Sequence, residues 1–327
     1  MKKVLITGGA GFIGYHLAKR LIKEKIEVVI ADNLSRGVMD QSLVVLNESK
    51  YCSFLNLDLT RKVPKLEKFD IIFHFAAIIG VQHVLKNPFE VLKYNFQLLD
   101  NLISYAKKIK DLKRFVFSST SEVYAGTLKH FDLPVPTPES VPIALTDLIE
   151  PRTSYMLSKV YGEAICMHSG LPITIVRPHN IYGPRMGLSH VIPELLQRSW
   201  KIKEGETMDV YSVDHSRSFC YIDDAVEMLV RIISSESCKG KVLNLGQQSP
   251  EVTMMEVAET VLRVHGKKIR INPLLPTQGS PYRRAPDMRL TKELTGFEAK
   301  IELEKGMQCT SNWYINNIFC NDGVSAL

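Results

Sequence analysis

A glycine-rich run, TGGAGFIG, follows the apolar run KVLIT near the start of the chain and constrains the fold more than any other feature. Its glycines satisfy both a GxxGxxG and a GxGxxG spacing; they are Gly8, Gly9, Gly11 and Gly14. A run with this spacing, placed between a β-rich segment and an amphipathic helical pattern, predicts a dinucleotide-binding turn. Glycine permits the tight turn, lets a pyrophosphate contact the backbone, and leaves the helix N–H groups facing the phosphates.

An acidic residue, Asp32, follows the second apolar run, IEVVIA at 26–31. Its carboxylate can accept a hydrogen bond from a ribose 2′-hydroxyl and would repel a 2′-phosphate. The sequence therefore favours NAD over NADP as the cofactor. Arg36, four residues further on, keeps the NADP alternative open.

Short β-rich runs alternate with helical patterns through the first half of the chain. After the first two, runs follow at 51–57, 70–77 and 114–118, and helical patterns cover 14–24 and 89–107. This alternation predicts an α/β fold with a doubly wound parallel sheet of the Rossmann type. A helical pattern at 154–167 and β-rich runs at 171–178 and 242–246 extend the sheet.

The composition changes after Pro178, where the chain becomes richer in Pro, Gly, Arg and Tyr. We therefore expect two domains that interleave along the chain. Residues 1–177 plus 219–250 form the NAD-binding Rossmann domain. Residues 178–218 plus 251–327 form a smaller, mixed α/β lobe that binds the substrate.

The composition excludes several classes of protein. With 327 residues, 45% apolar and 23% charged, the chain is typical of ordinary globular proteins. It has no apolar run of the roughly 18 residues that span a membrane and no signal-peptide pattern, so we expect a cytoplasmic protein without membrane contact. The six scattered cysteines indicate reduced thiols and no metal site. The net charge of +6 suits small anionic ligands, and without a long basic block it predicts no nucleic-acid partner.

Two pairs in the sequence share the spacing Tyr-x-x-x-Lys. Tyr15 and Lys19 lie on the helix after the glycine turn, on a face that we expect at the surface. Tyr155 and Lys159 lie on a later helix, after the hydroxyl-rich segment SSTSEVY at 118–124. Ligands of a doubly wound sheet bind at the carboxyl ends of its strands, so the second pair and this segment could surround a nicotinamide.

The chain resembles the extended short-chain dehydrogenases/reductases, the group of nucleotide-sugar epimerases, dehydratases and decarboxylases. The motifs that carry the resemblance span nearly the whole chain: TGGAGFIG, ADNL, LDL, HFAA, SSTSEVY, YMLSK, RPHNIYGPR, RSFCYIDD and RRAPD. The resemblance implies a catalytic hydroxyl at Thr120, a base at Tyr155 and a helper at Lys159. The NAD-binding residues that it implies are Gly8, Gly11, Phe12, Ile13, Gly14, Asp32, Asn33, Asp58, Leu59, Ala76, Asn95, Tyr155 and Lys159.

The chemistry expected of such a site begins with a proton transfer. A free phenol has a pKa near 10, and a neighbouring ammonium group together with a positive nicotinamide ring would lower it. Tyr155 could then remove the proton of a sugar hydroxyl while a hydride leaves the same carbon for NAD. The product is a 4-keto sugar, from which the members of the family diverge.

The triplet Thr120-Ser121-Glu122 bears on that divergence. Related dehydratases carry Thr-Asp-Glu, so 4,6-dehydration is disfavoured. Thr-Ser-Glu resembles the UDP-glucuronate decarboxylases, in which the glutamate assists the departure of the substrate carboxylate, and Glu122 is therefore a candidate catalytic residue. The neighbourhood of Tyr155 instead resembles the epimerases, and the main prediction is an NAD-dependent UDP-hexose 4-epimerase. A decarboxylase, a 4-dehydrogenase and a non-catalytic nucleotide-sensing regulator are the alternatives.

The second lobe supplies the predicted nucleotide-sugar site. By resemblance, Asn180 binds the phosphate–sugar region, and Arg217 and Arg284 neutralise the diphosphate, since a guanidinium can make two parallel bonds to phosphate oxygens. His179 either contacts the sugar or caps its strand. The predicted ligand is a nucleoside-diphosphate sugar. Because related enzymes pair through two helices per subunit, we also expect a homodimer with contacts in 89–107 and 154–167.

Overall fold

A computed structural model describes residues 2–276 and 280–320 of the chain. The strands in these ranges are β1 (Lys3–Thr7), β2 (Glu27–Asp32), β3 (Cys52–Asn56), β4 (Ile71–His74), β5 (Arg114–Ser118), β6 (Ile173–Pro178), β7 (Ile181–Tyr182), β8 (Thr207–Tyr211), β9 (Ser216–Ser218), β10 (Cys220–Tyr221), β11 (Val242–Leu245), β12 (Glu251–Thr253), β13 (Arg270–Leu274) and β14 (Arg283–Arg284).

Helices connect most of these strands. They are α1 (Phe12–Lys23), α2 (Gln41–Asn47), α3 (Val81–Lys86), α4 (Pro88–Ala106), α5 (Ala125–His130), α6 (Pro151–Met167), α7 (Val191–Lys201), α8 (Ile222–Ser234), α9 (Met254–Val264), α10 (Arg289–Thr295) and α11 (Leu303–Tyr314). A 3₁₀ turn at Ser121–Tyr124 follows β5, and a second lies at Glu236–Cys238. A π-helical turn at Ile315–Phe319 continues α11.

The centre of the fold is a seven-stranded sheet with the strand order β11-β6-β5-β4-β1-β2-β3. Neighbouring strands are parallel throughout. β4 and β5 are buried along their whole length, as expected for parallel strands that are covered on both faces. The predicted doubly wound α/β fold is confirmed, and each of the seven β-rich runs in the sequence overlaps one strand of this sheet.

Apolar side chains cover both faces of the sheet. Val4 and Ile6 of β1 belong to one core cluster, whereas Leu5 between them belongs to another. This follows from the strand period of two, which sends successive side chains to opposite faces. Helices α1 and α8 pack together, as do α4 and α6, and each pair contributes to a different one of these clusters.

Smaller sheets lie outside the central one. β7 pairs with β10, β8 with β13, and β9 lies between β12 and β14. The division of the chain into a domain at 1–177 plus 219–250 and a lobe at 178–218 plus 251–327 stays a prediction. All seven central strands fall within the first set, apart from Pro178 at the end of β6.

The prediction that Tyr15 lies at the surface is wrong, although Lys19 is exposed as expected. Tyr15 is buried, and its ring centroid lies 4.5 Å from the guanidinium carbon of Arg185. Arg185 donates to the Asp40 carboxylate at 2.6 Å and to the Ala10 carbonyl at 2.8 Å. Tyr15 therefore supports an arginine that ties the glycine turn to the loop after β2.

Residues 2–276 and 280–320 contain neither a helix long and apolar enough to cross a membrane nor a cluster of side chains suited to hold a metal ion. All six cysteines are free thiols in the described part of the chain, four of them buried and two exposed.

Candidate functional site

The glycine turn joins β1 to α1 in a conformation that larger residues resist. Gly8 has a φ of +69°, and a Cβ on it would lie 2.6 Å from the backbone nitrogen of Ala76. A Cβ on Gly14 would lie 2.6 Å from the Gly8 carbonyl oxygen. Helix α1 begins at Phe12 with neither a side-chain cap nor an acidic residue in its first turn. The N–H groups at this helix end, including that of Ile13, therefore present positive potential beside a close-packed turn, which fits the pyrophosphate of NAD.

Replacing Gly8 by alanine tests this close packing, and Gly170→Ala is its matched control. Both glycines have a left-handed φ, +69° and +77°, but nothing lies within 4 Å of a Cβ on Gly170. Each variant should lose about 1–2 kcal/mol of unfolding free energy from its backbone conformation. Gly8→Ala must also displace the Ala76 backbone, so we expect a larger loss and loss of NAD binding. Urea unfolding and calorimetric NAD titration measure both effects. Equal stability and equal NAD affinity of the two variants would contradict this view of the turn.

Asp32 ends β2 beside the glycine turn, where the sequence predicted a ribose-binding carboxylate. Its Oδ2 accepts from the Ala10 N–H at 3.1 Å, and its Oδ1 accepts from the Leu34 N–H at 2.9 Å. Burial raises the pKa of Asp32, and these backbone donors oppose that shift. Each carboxylate oxygen can accept a second bond, so a ribose hydroxyl can still bind. The neighbouring Asn33 is exposed, and its side-chain oxygen accepts from the Ser35 N–H at 3.1 Å.

The remaining predicted NAD-binding residues differ in their surroundings. Asp58 accepts from both the N–H and the hydroxyl of Thr60 in the turn after β3, and Leu59 is buried in the core. Ala76 packs against Gly8. Asn95 of α4 bonds the N–H of Ile78 at 2.7 Å and its carbonyl at 3.1 Å. Asn95 thus fixes the backbone after β4, which forms one side of the predicted cofactor site.

Three predicted catalytic side chains meet at the carboxyl end of β5. Thr120 caps the 3₁₀ turn after β5 and is hydrogen-bonded to the Tyr155 side chain. Lys159 follows Tyr155 by one turn of α6, and its Nζ lies 5.8 Å from the centroid of the Tyr155 ring. The same Nζ donates to the Ser118 carbonyl at 2.7 Å. The structure therefore brings the predicted hydroxyl, base and ammonium group into one cluster.

The electrostatics of this cluster come mainly from burial. Burial raises the pKa of Tyr155, while the hydrogen bond from Thr120 and the charge of Arg36 act in the opposite direction. Burial lowers the pKa of Lys159 to about 8. The sequence predicted that an ammonium group and a nicotinamide ring would lower the Tyr155 pKa. In the protein alone, burial of the phenol acts against that shift.

Glu122 lies two residues after Thr120 and is surrounded by arginines. Its Oε1 accepts from Arg284 Nη1 at 2.9 Å, and its Oε2 lies 3.5 Å from Arg152 Nη2. The Arg284 charge holds the pKa of Glu122 below its usual range. The backbone of Arg217 pairs in register with that of Arg284 between β9 and β14. Burial, together with the neighbouring Arg284 charge, lowers the pKa of Arg217 to about 10.

The two predicted diphosphate-binding arginines have protein partners. Arg284 contacts Glu122, whereas Arg217 Nη2 donates to the Pro281 carbonyl at 2.6 Å and the Ser280 hydroxyl at 3.0 Å. Arg152, on the first turn of α6, is a member of this cluster that the sequence did not single out. The sequence signal that could have identified Arg152 is its position three residues before the candidate base, Tyr155.

Asn180, the third predicted substrate-binding residue, connects two strands. Its φ is +40°, a left-handed conformation that asparagine tolerates better than most residues. Its side-chain amide donates to the Ser218 carbonyl at 3.0 Å, and its own carbonyl accepts from the Cys220 N–H at 3.2 Å. Asn180 thus joins the end of β6 to the β9–β10 segment, and its role in substrate binding stays a prediction.

A buried network of polar side chains holds in place the segment between Ser119 and Tyr124, which contains Thr120. Arg177 donates to both oxygens of Glu163, at 2.9 and 2.6 Å, and to the Tyr124 hydroxyl at 2.7 Å. Glu163 also accepts from the Ser119 hydroxyl at 2.5 Å. Ser119 and Tyr124 flank the segment that contains Thr120, so the ion pair fixes both of its ends. The sequence signal for this network was an arginine inside the apolar run ITIVRP.

His179 belongs to the same network through Asn244. The Nε2 of His179 lies 3.1 Å from the Asn244 side-chain oxygen, which also accepts from the Tyr124 hydroxyl at 3.2 Å. The Asn244 amide nitrogen donates to two carbonyls, which fixes the orientation of the side chain. His179 Nε2 is therefore the donor. Burial lowers the pKa of His179 to about 3, so the ring is neutral.

Comparison with known proteins finds relatives along nearly the whole chain. The model of the NAD dependent epimerase/dehydratase family matches residues 4–246. A UDP-N-acetyl-alpha-D-glucosaminuronate decarboxylase of Bacillus cytotoxicus is 32% identical over 326 residues, which cover 96% of this chain and 98% of that protein. UDP-glucuronic acid decarboxylase 5 of Arabidopsis thaliana is 32% identical over 313 residues, covering 93% of this chain and 87% of that protein.

Solved structures show the same fold. The UDP-glucuronic acid 4-epimerase of Bacillus cereus, in complex with UDP-glucuronic acid and NAD, superposes with a TM-score of 0.82 at 24% identity, over 96% of this chain and 99% of that chain. The UDP-glucose 4-epimerase of Thermotoga maritima with UDP-glucose gives a TM-score of 0.80 at 25% identity, over 96% and 99%.

Proposed function

Because the chain belongs to the NAD dependent epimerase/dehydratase family, we propose that it is an NAD-dependent decarboxylase of a nucleoside-diphosphate hexuronate such as UDP-glucuronate. The observation that carries the proposal is the contact of Arg284 with Glu122, which follows Thr120 by two residues. The similarity to two decarboxylases over more than nine-tenths of the chain supports it. The UDP-hexose 4-epimerase, the main prediction from sequence, becomes the second candidate.

The proposed substrate explains why one site can break a carbon–carbon bond. A hexuronate carries its carboxylate on C5, next to the C4 hydroxyl. Oxidation at C4 makes a β-keto acid, in which the electron pair of the C5–C6 bond can move toward the C4 oxygen as carbon dioxide leaves. A bound NAD would supply a reversible hydride acceptor for C4, so the reaction would have no net oxidation, and C5 would gain a proton from water in place of the lost carboxylate. The protein must accept the C4 hydroxyl proton and bind the carboxylate.

Tyr155 and Thr120 would act at the C4 oxygen. Their side chains are hydrogen-bonded to each other, so one substrate oxygen can contact both. Tyr155 would accept the hydroxyl proton, and Thr120 would stabilise the oxygen as its charge changes. Lys159, with a pKa of about 8, is mostly cationic at neutral pH and lies one helical turn away. Its charge would favour the ionised phenol that this step requires.

Glu122 and Arg284 would act at the carboxylate. C5 adjoins C4, so a substrate whose C4 oxygen is held at Thr120 would bring its carboxylate toward Glu122 and its partner Arg284. Arg284 can bind a carboxylate through two parallel bonds. The ionised Glu122 would repel the same group, and this repulsion disappears when carbon dioxide leaves as a neutral molecule. Arg152 and Arg217 add positive charge that suits the diphosphate.

A 4-epimerase begins with the same C4 oxidation and differs in the fate of the keto sugar. Similarity to the Thermotoga maritima UDP-glucose 4-epimerase favours this second candidate, as does the epimerase-like sequence around Tyr155. In an epimerase the C5–C6 bond stays intact, and the keto sugar is reduced from the other face. Retention or loss of C6 therefore separates the two functions.

Incubation of the purified protein with NAD and UDP-glucuronate labelled with ¹³C at C6 tests the proposal. A decarboxylase releases one labelled carbon dioxide per UDP-pentose formed. A 4-epimerase keeps the label in UDP-galacturonate, and a 4-dehydrogenase accumulates a keto sugar with an equal amount of NADH. NMR distinguishes all three outcomes. Retention of the label in every product would overturn the decarboxylase proposal.

The Glu122→Gln variant is expected to release carbon dioxide about 10- to 150-fold more slowly, the value of one charge-assisted interaction. Glutamine keeps the size and the acceptor oxygen for Arg284 but removes the charge. C4 oxidation precedes the loss of the carboxylate, so transient NADH should still form. Stopped-flow absorbance and release of ¹⁴CO₂ measure the two steps. Exposed Glu48→Gln is the control, and a wild-type rate of release in Glu122→Gln would exclude the proposed role.

The homodimer and the cytoplasmic location stay predictions. The helices expected at the dimer contact, α4 and α6, pack side by side. Phe89 at the start of α4 is 74% exposed, and the nearby Val81 of α3 is 54% exposed. We propose that this apolar surface, which continues the α4–α6 pair, takes part in the dimer.

A further inference from the structure

Two loops lie on either side of the glycine turn because β1 lies between β4 and β2 in the sheet. The loop after β2 contains Arg36, and the loop after β4 contains Ile79. Arg36 Nη1 donates to the Ile79 carbonyl at 2.7 Å. This bond connects the two loops across the carboxyl end of β1, where the glycine turn begins.

The backbone is held at both ends of this connection. On one side, Arg185 donates to the Val38 carbonyl at 2.9 Å. On the other, Asn95 bonds both the N–H and the carbonyl of Ile78. The long side chain of Arg36, which is exposed, is thus the part that can move without rearranging either loop.

A pyrophosphate bound at the glycine turn needs a cation to neutralise its charge. A pyrophosphate carries two negative charges, whereas the segment GGAGFIG contains no basic residue. The helix N-terminus beneath it supplies roughly half a positive charge. The nearby Arg185 is already engaged by Asp40, and Lys159 donates to the Ser118 carbonyl. Arg36 donates to a neutral carbonyl, and a phosphate is a stronger acceptor for a guanidinium.

The charge of Arg36 extends to the catalytic side of the site. This charge acts to lower the pKa of Tyr155, against the effect of burial. Burial lowers the pKa of His190, and the charge of Arg36 lowers it further. A guanidinium that affects Tyr155 and also contacts Ile79 lies between the nicotinamide end and the glycine turn. The pyrophosphate of NAD occupies that part of a dinucleotide site.

We propose that Arg36 binds the pyrophosphate of NAD from the side opposite helix α1, exchanging its bond to the Ile79 carbonyl for phosphate oxygens, and thereby slows cofactor release. The sequence left open a role for Arg36 toward the 2′-phosphate of NADP. Its side chain instead reaches the β4 loop, while Asp32 ends the strand where the ribose is expected. The inference concerns the cofactor alone and holds whether the sugar is decarboxylated or epimerised.

Calorimetric titration of the full-length, cofactor-free protein with NAD, ADP-ribose and adenosine tests the proposal. Arg36→Ala should weaken NAD and ADP-ribose, which contain the pyrophosphate, by about 10- to 150-fold. Adenosine, which lacks phosphate, should bind as tightly as to the wild type. Release of NADH, followed by fluorescence after displacement with excess NAD, should accelerate by a similar factor. Arg36→Lys keeps the charge without the planar fork, and its affinities should be intermediate.

Exposed Lys110 provides the control for net charge. It precedes β5, at the opposite edge of the sheet from the glycine turn, and Lys110→Ala should bind NAD like the wild type. Unchanged NAD affinity in Arg36→Ala would overturn the proposal and leave Arg36 as a brace between loops. An equal loss of adenosine affinity would overturn it as well, since the loop itself would then be disturbed. Tighter binding of NADP than NAD by the wild type, reversed in Arg36→Ala, would overturn it by assigning the residue to the 2′-phosphate.

Discussion

The Tyr155→Phe variant is expected to turn over UDP-glucuronate about 10²- to 10⁴-fold more slowly than the wild type, the usual contribution of a positioned acid–base group. Phenylalanine keeps the ring and removes the oxygen that would accept the C4 proton. The hydrogen bond with Thr120 is lost as well. Steady-state kinetics at saturating NAD measure the rate, and circular dichroism should show an unchanged fold.

Tyr161→Phe is the matched control because it removes a hydroxyl from the same helix. The Tyr161 hydroxyl donates to Asp100 at 3.3 Å in an exposed setting, so its loss should leave the rate near that of the wild type. A Tyr155→Phe enzyme with more than about a tenth of the wild-type rate would rule out Tyr155 as the base. If Tyr155→Phe left the biological activity intact, a non-catalytic nucleotide-sensing role would become the better interpretation.

The Arg177→Met variant is expected to lose about 3–5 kcal/mol of unfolding free energy, the cost of leaving a buried charge without its partner. The side chains of Arg177 and Glu163 are 4% and 9% exposed, so water cannot replace the lost guanidinium. Tyr124 also loses its donor from Arg177. Urea unfolding at neutral pH measures the loss. Because the network holds both ends of the segment that contains Thr120, the catalytic rate should fall together with the unfolding free energy.

Two further variants make this test specific. Arg263→Met removes an arginine whose pair with Glu304 is 56% exposed on both sides, and it should cost about 0–1 kcal/mol. The double variant Arg177→Met/Glu163→Leu removes both buried charges and should be more stable than Arg177→Met alone. A double variant less stable than the single one would show that packing around these side chains, not the unpaired charge, determines the cost.

The central sheet could be predicted because its strands are buried on both faces. Such strands are continuous apolar runs in the sequence, and the runs at 3–7 and 114–118 coincide with β1 and β5. The short strands outside the central sheet lack this pattern. β9 is Ser-Arg-Ser and β14 is Arg-Arg, so their strand conformation comes from pairing with each other and with β12. Local preference carries little information about strands of that kind.

The site could be predicted where one element determines the geometry. Tyr155 and Lys159 share a face of α6, and Thr120 follows β5 at the carboxyl edge of the sheet, where ligands of doubly wound sheets generally bind. Contacts between distant elements were not accessible in the same way. Glu122 and Arg284 lie 162 residues apart and meet only because β14 joins the sheet beside β9. Helical periodicity predicted an exposed Tyr15. The pattern of one helix carries no information about Arg185, which comes from a distant segment and covers that face.

The contacts of Arg185 limit how this protein can be divided or recombined. Its guanidinium comes from the segment after β6, yet it binds the Ala10 carbonyl within the glycine turn and the Asp40 carboxylate. A fragment that stops at residue 177 would contain every glycine of the dinucleotide motif and lack the side chain that braces them. A chimera that takes only residues 1–177 from this protein therefore also needs an arginine that reaches the Ala10 carbonyl and the Asp40 carboxylate.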